Sequence, residues 1–289
     1  MIYVFGGSGK LGRSIRDVIN NAVFLSTSGK YNTKRFSISE LPSIVKNASV
    51  VINAAGRVNG SEEELMKANV SLVRHLVKHL PKDTLLIQIS SISVYGKRMY
   101  ENPANEATPI NPDSTYALSK YLGEVEAKKH KRTVILRLGP LYGRHFNDYF
   151  RMFKYLSKGR MPIIGNGNNR IPFTFVNDVL NVIPKLFDFT DGLYVLTGKS
   201  ESQKTIYSIA CKYLGCDTPR VHIPLILAKA FVKLGLLKGF TEEHLNILSS
   251  DRVFDNSKAI DELSFKQTPI EDGIRYMVNL YKHNLFKHF

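Results

Sequence analysis

The chain has 289 residues, 43% hydrophobic and 22% charged, which suits a soluble globular protein with one large core or two domains. Its formal net charge of +15 raises nucleic acid, an anionic surface or an anionic small substrate as partners. The basic residues are scattered, however, with no aromatic–basic RNA motif and no compact DNA-binding module, so no nucleic-acid partner is expected.

Met1 leads straight into an apolar strand, without the basic-then-apolar pattern of a secretory signal. Cys211 and Cys216 are the only cysteines and have no nearby partners for a metal, so no metal site is expected and two reduced thiols in a cytoplasmic protein are the natural reading.

Met1-Ile2-Tyr3-Val4-Phe5 runs into Gly6-Gly7-Ser8-Gly9-Lys10-Leu11-Gly12. Apolar positions at Leu11, Ile15, Val18 and Ile19 then predict a helix over 11–20. Glycines let a backbone approach a pyrophosphate, and a helix start supplies N–H groups for it. The spacing is Gly-x-x-Gly-x-x-Gly rather than Gly-x-Gly-x-x-Gly, but strand, turn and helix together read as a dinucleotide site.

Further strands are expected near 22–26, 50–53, 85–90 and 133–138, and helices near 40–47, 62–79 and 115–129. This alternation predicts an α/β fold with a doubly wound parallel sheet. The run Leu85 to Ile89 ends in Ser90-Ser91-Ile92-Ser93, delivering hydroxyls to the carboxyl edge of the sheet. Serines there also serve as turn formers and caps. Residues 103–112 read as a loop.

Beyond it, Tyr116 and Lys120 stand four apart on the predicted helix and share a face, where the lysine charge can favour the phenolate. That matters because a free tyrosine, with a pKa of about 10, is a poor acid or base at neutral pH.

After Gly139 the alternation breaks. Helices are expected at 146–158 and 178–186, a Gly/Asn-rich loop at 159–172, a strand at 193–196, and mostly helix over 199–289. His222 to Gly239 is the most apolar stretch. Interrupted by Lys229, Lys233 and Lys238, it is too short and charged to span a bilayer, so a core or lid helix is preferred to a peripheral membrane contact. No integral membrane contact is expected.

The ordered set of glycine turn, Ser91, Tyr116 and Lys120 resembles the extended short-chain dehydrogenase/reductase family of NAD-dependent epimerases, dehydratases and ketoreductases. Val50-Val51-Ile52-Asn53-Ala54-Ala55-Gly56, Leu136-Arg137-Leu138-Gly139-Pro140-Leu141-Tyr142-Gly143 and Phe173-Thr174-Phe175-Val176-Asn177-Asp178 carry the resemblance further. It continues through Asp255-Asn256-Ser257-Lys258-Ala259 and Glu271-Asp272-Gly273-Ile274.

The resemblance implies a Rossmann-like domain at 1–139 and 172–198 and a smaller, mostly helical substrate lobe at 140–171 and 199–289. It implies Tyr116 as acid/base, Lys120 as the group that lowers its pKa and holds the nicotinamide ribose, and Ser91 as the hydroxyl orienting the reacting oxygen. The cofactor would lie against Gly6, Ser8, Gly9, Lys10, Leu11, Gly12, Thr27, Ser28, Lys30, Ala54, Ala55, Gly56, Lys120 and Leu138. Asn69 matches a helix asparagine that supports such sites, or is a plain buried amide. A homodimer is common in the family.

An acidic residue about 20 positions past the glycine turn would bind NAD ribose hydroxyls. None stands between Asp17 and Glu40, whereas Ser26, Thr27, Ser28, Lys30, Lys34 and Arg35 could accept a 2′-phosphate. NADP(H) is therefore favoured, with NAD(H) as the alternative.

Ile92 and Ser93 stand where dehydratases place Asp-Glu, which disfavours dehydration. Arg170 matches the usual arginine ahead of the Phe173–Asp178 strand only one position out of register. The favoured reading is a 4-keto-sugar reductase acting on a nucleotide-linked sugar, as in surface-polysaccharide pathways. The alternatives are a nucleotide-sugar 4-epimerase with tightly bound NAD and a non-catalytic dinucleotide sensor.

Overall fold

In the structure, a computed structural model that describes residues 1–235, 245 and 248–283, the six expected strands and one unexpected strand, Lys34–Arg35, assemble into one sheet. They are β1 (Ile2–Phe5), β2 (Ala22–Ser26), β3 (Lys34–Arg35), β4 (Val50–Asn53), β5 (Leu85–Ser91), β6 (Thr133–Leu138) and β7 (Gly192–Leu196). The order is β7-β6-β5-β4-β1-β2-β3, and every pairing is parallel. This is the doubly wound order, reversing between β1 and β4.

β4 and β6 are buried at every position and β5 at all but its last, as central strands covered on both faces must be. Two polar side chains inside this apolar layer satisfy each other: Asn53 Nδ2 donates to Gln88 Oε1 at 2.9 Å. Helices α1 (Lys10–Arg16), α2 (Leu41–Val45), α3 (Glu62–Met66), α4 (Leu72–His79) and α5 (Thr115–Ala127) flank the sheet. On one face Leu41 and Val45 of α2 and Leu72, Val73 and Leu76 of α4 pack with Phe5, Leu25, Val51 and Leu86.

Several elements differ from their expected extents. α1 stops at Arg16 because its last turn tightens, with Asp17 N–H bonded to Ser14 O and Val18 N–H to Ile15 O. The helix expected at 40–47 begins as a 3-10 turn, Ile38–Glu40, capped reciprocally by Ser37 and Glu40, before α2 takes over. The long helix expected at 62–79 carries a π-helical turn at Lys67–Ser71. The helix expected at 178–186 resolves into Val176–Leu180 and a 3-10 turn, Ile183–Asp188.

The chain divides into two compact units. The first is Met1–Gly139 with Val176–Leu196 and Asp255–Lys266; the second is Pro140–Phe175 with Thr197–Phe254 and Gln267–Phe289. Residues 172–175 and 197–198 thus fall in the second unit, and 255–266, expected in the lobe, fall in the first. There the helix Ser257–Leu263 is tied to β7, Lys258 Nζ donating to Leu193 O and Tyr194 Oη to Glu262 Oε2.

The second unit has its own core, in which Phe153 and Leu156 meet Ile206, Ala210 and Cys211, and Ile274, Met277 and Val278. Short strands occur where loop or helix was expected, Ile163–Ile164 pairing with His222–Ile223 and Arg170–Ile171 with Glu201–Ser202. The stretch expected as one helix over 222–239 starts as this strand and turns helical only at Leu225–Lys233; residues 236–239 lie outside the described ones.

Leu76 is wholly buried where α4 meets the sheet. Leu76→Ala should cost about 2–5 kcal/mol in urea-monitored equilibrium unfolding. A loss below about 1 kcal/mol would mean this face is not close-packed.

Candidate active site

The glycine turn is built by steric exclusion. Gly6 has φ +80°, and a Cβ there would sit 2.5 Å from Ala55 N and 2.6 Å from Ala54 C. A Cβ on Gly12 would sit 2.2 Å from Gly6 O. The turn between β1 and α1 is therefore pressed against the end of β4, and Ala54 and Ala55 come within reach of it. Gly9 N–H closes the turn on Gly6 O at 2.9 Å, and Gly9 is the N-cap of α1 without a side-chain cap. Such a glycine-lined cradle, with Ser8 its one side chain before α1, fits a dinucleotide pyrophosphate.

Past β2 the hydroxyls are engaged in their own turn. Ser26 is buried, and its Oγ lies 2.7 Å from Thr33 Oγ1 and accepts from Gly29 N–H at 3.0 Å. Ser28 Oγ donates to Ser8 Oγ at 3.4 Å and accepts from Lys30 N–H at 3.3 Å. Thr27, Lys30, Lys34 and Arg35 are exposed, the last two forming β3.

At the carboxyl edge of the sheet, Ser91 ends β5 in register with Leu138 of β6. Its Oγ accepts from Ser93 N–H at 3.1 Å and donates to Ser93 Oγ at 3.0 Å, capping the 3-10 turn Ile92–Tyr95. Tyr116 lies in the first turn of α5 and is half-buried; Ser114 caps that turn by accepting from Ala117 N–H.

One turn on, Lys120 is buried and its Nζ donates to Ile89 O at 2.6 Å, two residues before Ser91. Among the described residues that is its one hydrogen bond, so two of the three ammonium donors remain available. The ammonium stands 3.8 Å from the position of a Cβ on Gly56. Burial pushes its pKa down to about 8, against an opposing pull from Glu124.

Asn69 lies in the π-helical turn and is buried. It donates to Ser119 Oγ at 2.8 Å and to Arg57 O at 3.0 Å, and accepts from Arg57 N–H at 2.9 Å. It thereby ties the loop after β4 to α5, one residue from Lys120. A Cβ on Gly123 would lie 2.4 Å from Asn69 O, so the π turn and α5 meet backbone to backbone.

Beneath these groups runs a buried network to which the sequence reading assigned no role. Arg137 of β6 forms a two-pronged pair with Glu124 of α5, Nη2 to Oε2 at 2.8 Å and Nε to Oε1 at 3.0 Å. Ser90 Oγ donates to Glu124 Oε1 at 2.5 Å, and Arg137 Nη1 donates to Tyr95 Oη at 2.8 Å. The readable signal was spacing: Tyr116, Lys120 and Glu124 repeat at four residues on one helix face. Arg170, by contrast, pairs with Asp251 at 2.6 Å and is half exposed, within the second unit.

The model of the NAD dependent epimerase/dehydratase family matches residues 2–193, a span that holds the glycine turn, Ser91, Tyr116 and Lys120. The chain belongs to that family. This epimerase/dehydratase family member is 23% identical over 323 residues to a putative UDP-glucose 4-epimerase of Methanocaldococcus jannaschii, with 98% of this chain and 99% of the relative covered.

Its fold is that of UDP-glucuronic acid 4-epimerase from Bacillus cereus in complex with NAD, with a TM-score of 0.76, 19% identity and coverage of 97% of this chain and 99% of that one. It is also that of UDP-glucose 4-epimerase from Thermotoga maritima with UDP-glucose, with a TM-score of 0.79, 18% identity and coverage of 98% and 99%. Among the described residues, no helix is long and apolar enough to cross a membrane.

Because an unfolded lysine keeps its proton to about pH 10.4, Lys120 makes the fold more stable as pH rises from about 8 toward 10. In NMR of protein labelled at lysine 13Cε, the resonance lost in Lys120→Arg should titrate near pH 8. A midpoint with the bulk of the lysines, near about 10.4, would show that the ammonium is solvated.

Proposed function

We propose that this chain is a nucleotide-sugar 4-epimerase that retains NAD, rather than the NADP(H)-dependent 4-keto-sugar reductase favoured by its sequence alone. The observation that carries the reading is Lys120, a buried ammonium at the carboxyl edge of the sheet with two donors to spare, one helical turn from Tyr116.

The choice of epimerisation is supported by the relatives above, a putative 4-epimerase and two solved 4-epimerases of UDP-sugars. The choice of NAD is supported by the complex with that cofactor and by the turn after β2. Its buried Ser26 and its Ser28 hydroxyl are spent on holding Gly29, Lys30 and Thr33, which weakens the case for a 2′-phosphate site built from them.

NAD, when bound, supplies an acceptor that takes a hydride from a sugar carbon and can return it to either face. The chain's residues manage the proton and the position. Tyr116 as phenolate takes the proton from the sugar C4 hydroxyl and returns it to the same oxygen. Lys120, a cation below about pH 8, favours that phenolate and offers its remaining donors to the nicotinamide ribose. Ser91 presents its hydroxyl to the reacting oxygen, its own orientation fixed by Ser93. Gly6, Ser8, Gly9, Lys10, Leu11 and Gly12 form the pyrophosphate cradle, and Thr27, Ser28, Lys30, Ala54, Ala55, Gly56 and Leu138 line the rest of the cofactor path. The second unit, Pro140–Phe175 with Thr197–Phe254 and Gln267–Phe289, is proposed to hold the sugar.

Purified protein given UDP-glucose or UDP-glucuronic acid, with no reductant, should produce the 4-epimer by 1H NMR without net cofactor consumption. Stoichiometric NADPH oxidation with a 4-keto nucleotide sugar, and no epimer, would return the reductase reading. Tyr116→Phe should lose about 10²-fold or more in turnover while its cofactor fluorescence titration stays unchanged. Normal turnover in that variant would remove Tyr116 from the chemistry.

A further inference from the structure

The helix Leu225–Lys233 in the second unit has two unlike faces. Ala228 is fully buried with Ile164 and Leu245, and Leu225 and Val232 pack against that cluster. At about 100° per residue, Ile226, Leu227, Ala230 and Leu234 fall on the opposite side, with Lys229 and Lys233 along one flank. Ile226 is 82% exposed and Leu234 72%, more than any other large hydrophobic residue among those described. Leu227 is 48% exposed and Val221, just ahead of the helix, 66%.

A single exposed leucine is ordinary, but three large apolar side chains on one side of so short a helix form a patch. The charged residues carried by this segment itself are basic, with Asp217 before it and Glu242 and Glu243 after it. From Thr218 to Phe240 the sequence holds Arg220, Lys229, Lys233 and Lys238 and no Asp or Glu.

We propose that this face docks on an anionic phospholipid surface, Ile226, Leu227 and Leu234 entering the headgroup–acyl boundary while Lys229 and Lys233 reach lipid phosphates. Lysine stems can lie along an apolar strip with their ammonium groups directed outward, and apolar insertion with cationic flanks is how interfacial helices bind. Each basic side chain near such a surface adds to the attraction, as does the chain's net charge of +15. A second copy of the chain is a poorer occupant, because a two-fold contact through this face would set Lys229 and Lys233 against themselves. The contact involves none of the residues assigned to catalysis and is peripheral, consistent with the absence of a spanning helix among the described residues.

Flotation of the full chain with vesicles of mixed phosphatidylglycerol and phosphatidylcholine should bring it up with the lipid. Partitioning should fall by about tenfold or more with phosphatidylcholine alone, in Ile226→Asp/Leu234→Asp, and in Lys229→Glu/Lys233→Glu. Thermal melting by circular dichroism checks each variant. Should the aspartate pair unfold the lobe, Lys229→Ser/Lys233→Ser changes only exposed positions and still decides.

Protein that stays behind with anionic vesicles overturns the proposal. So does wild-type binding matched by folded variants at all four positions, which would assign the affinity to the charge of the chain at large. A concentration-dependent dimer that Ile226→Asp dissolves, without lipid binding, would assign the face to a second copy.

Discussion

The placement of the proposed reactive groups depends on the buried pair between Glu124 and Arg137, whose side chains are 1% and 4% exposed. Taking two such charges out of water costs several kcal/mol each, and their attraction offsets that cost only when geometry and additional hydrogen bonds are good. Both conditions hold. The carboxylate takes a two-pronged guanidinium and a Ser90 hydroxyl, and the guanidinium's remaining arm goes to Tyr95, whose own hydroxyl donates to Asn105 O.

Through these bonds α5 is locked to β6 by Arg137 and to β5 by Ser90. Ser91 follows Ser90 directly, and Lys120 sits one turn before Glu124. A hydrophobic substitute of equal volume could match the stability, but it would not set the helix in register against two strands at once. The rotation of α5 decides where Tyr116 and Lys120 stand, so the network acts as an alignment device under the site.

Glu124 also acts on Lys120 at a distance. Burial works against the ammonium, and the carboxylate one turn away works for it; the balance leaves the group at about 8. At neutral pH the lysine is therefore still a cation, yet one poorly solvated and short of partners. A lysine in water would be charged too, but screened, and its effect on a neighbouring phenol would be small.

Most of the first unit was legible because its signals are local. Both-face apolar runs announce central parallel strands, and glycines at 6 and 12 are required because a Cβ there would strike backbone. The residues proposed as the reactive set were legible as neighbours for the same reason, being a strand end and one helix face. What escaped has non-local causes. β3 is two exposed residues, Lys34 and Arg35, made a strand only by pairing with Leu25 and Ser26. The π turn at Lys67–Ser71 has no signature in its residues; it exists where Asn69 reaches Arg57 and Ser119. Residues 255–266 read as lobe by position in the chain, but Lys258 and Glu262 bind the β7 strand.

The same distinction governs cofactor choice. Read as letters, Ser26, Thr27, Ser28, Lys30, Lys34 and Arg35 form a list of phosphate-binding side chains. Read as a structure, the list splits. Ser26 is buried and holds the turn by bonding Thr33 and Gly29, and Arg35 stands beside it in register on β3. Buried, with its hydroxyl shared among Thr33, Ser28 and Gly29, Ser26 cannot also meet a ligand without opening that turn, and opening it leaves a buried hydroxyl and an amide without partners, at roughly 1–3 kcal/mol each. The charges that remain are exposed and screened, so each adds little to discrimination between a hydroxyl and a phosphate. The absence of an acidic residue before Glu40 removes repulsion of a 2′-phosphate without creating a site for one, and permissiveness of that kind is compatible with NAD.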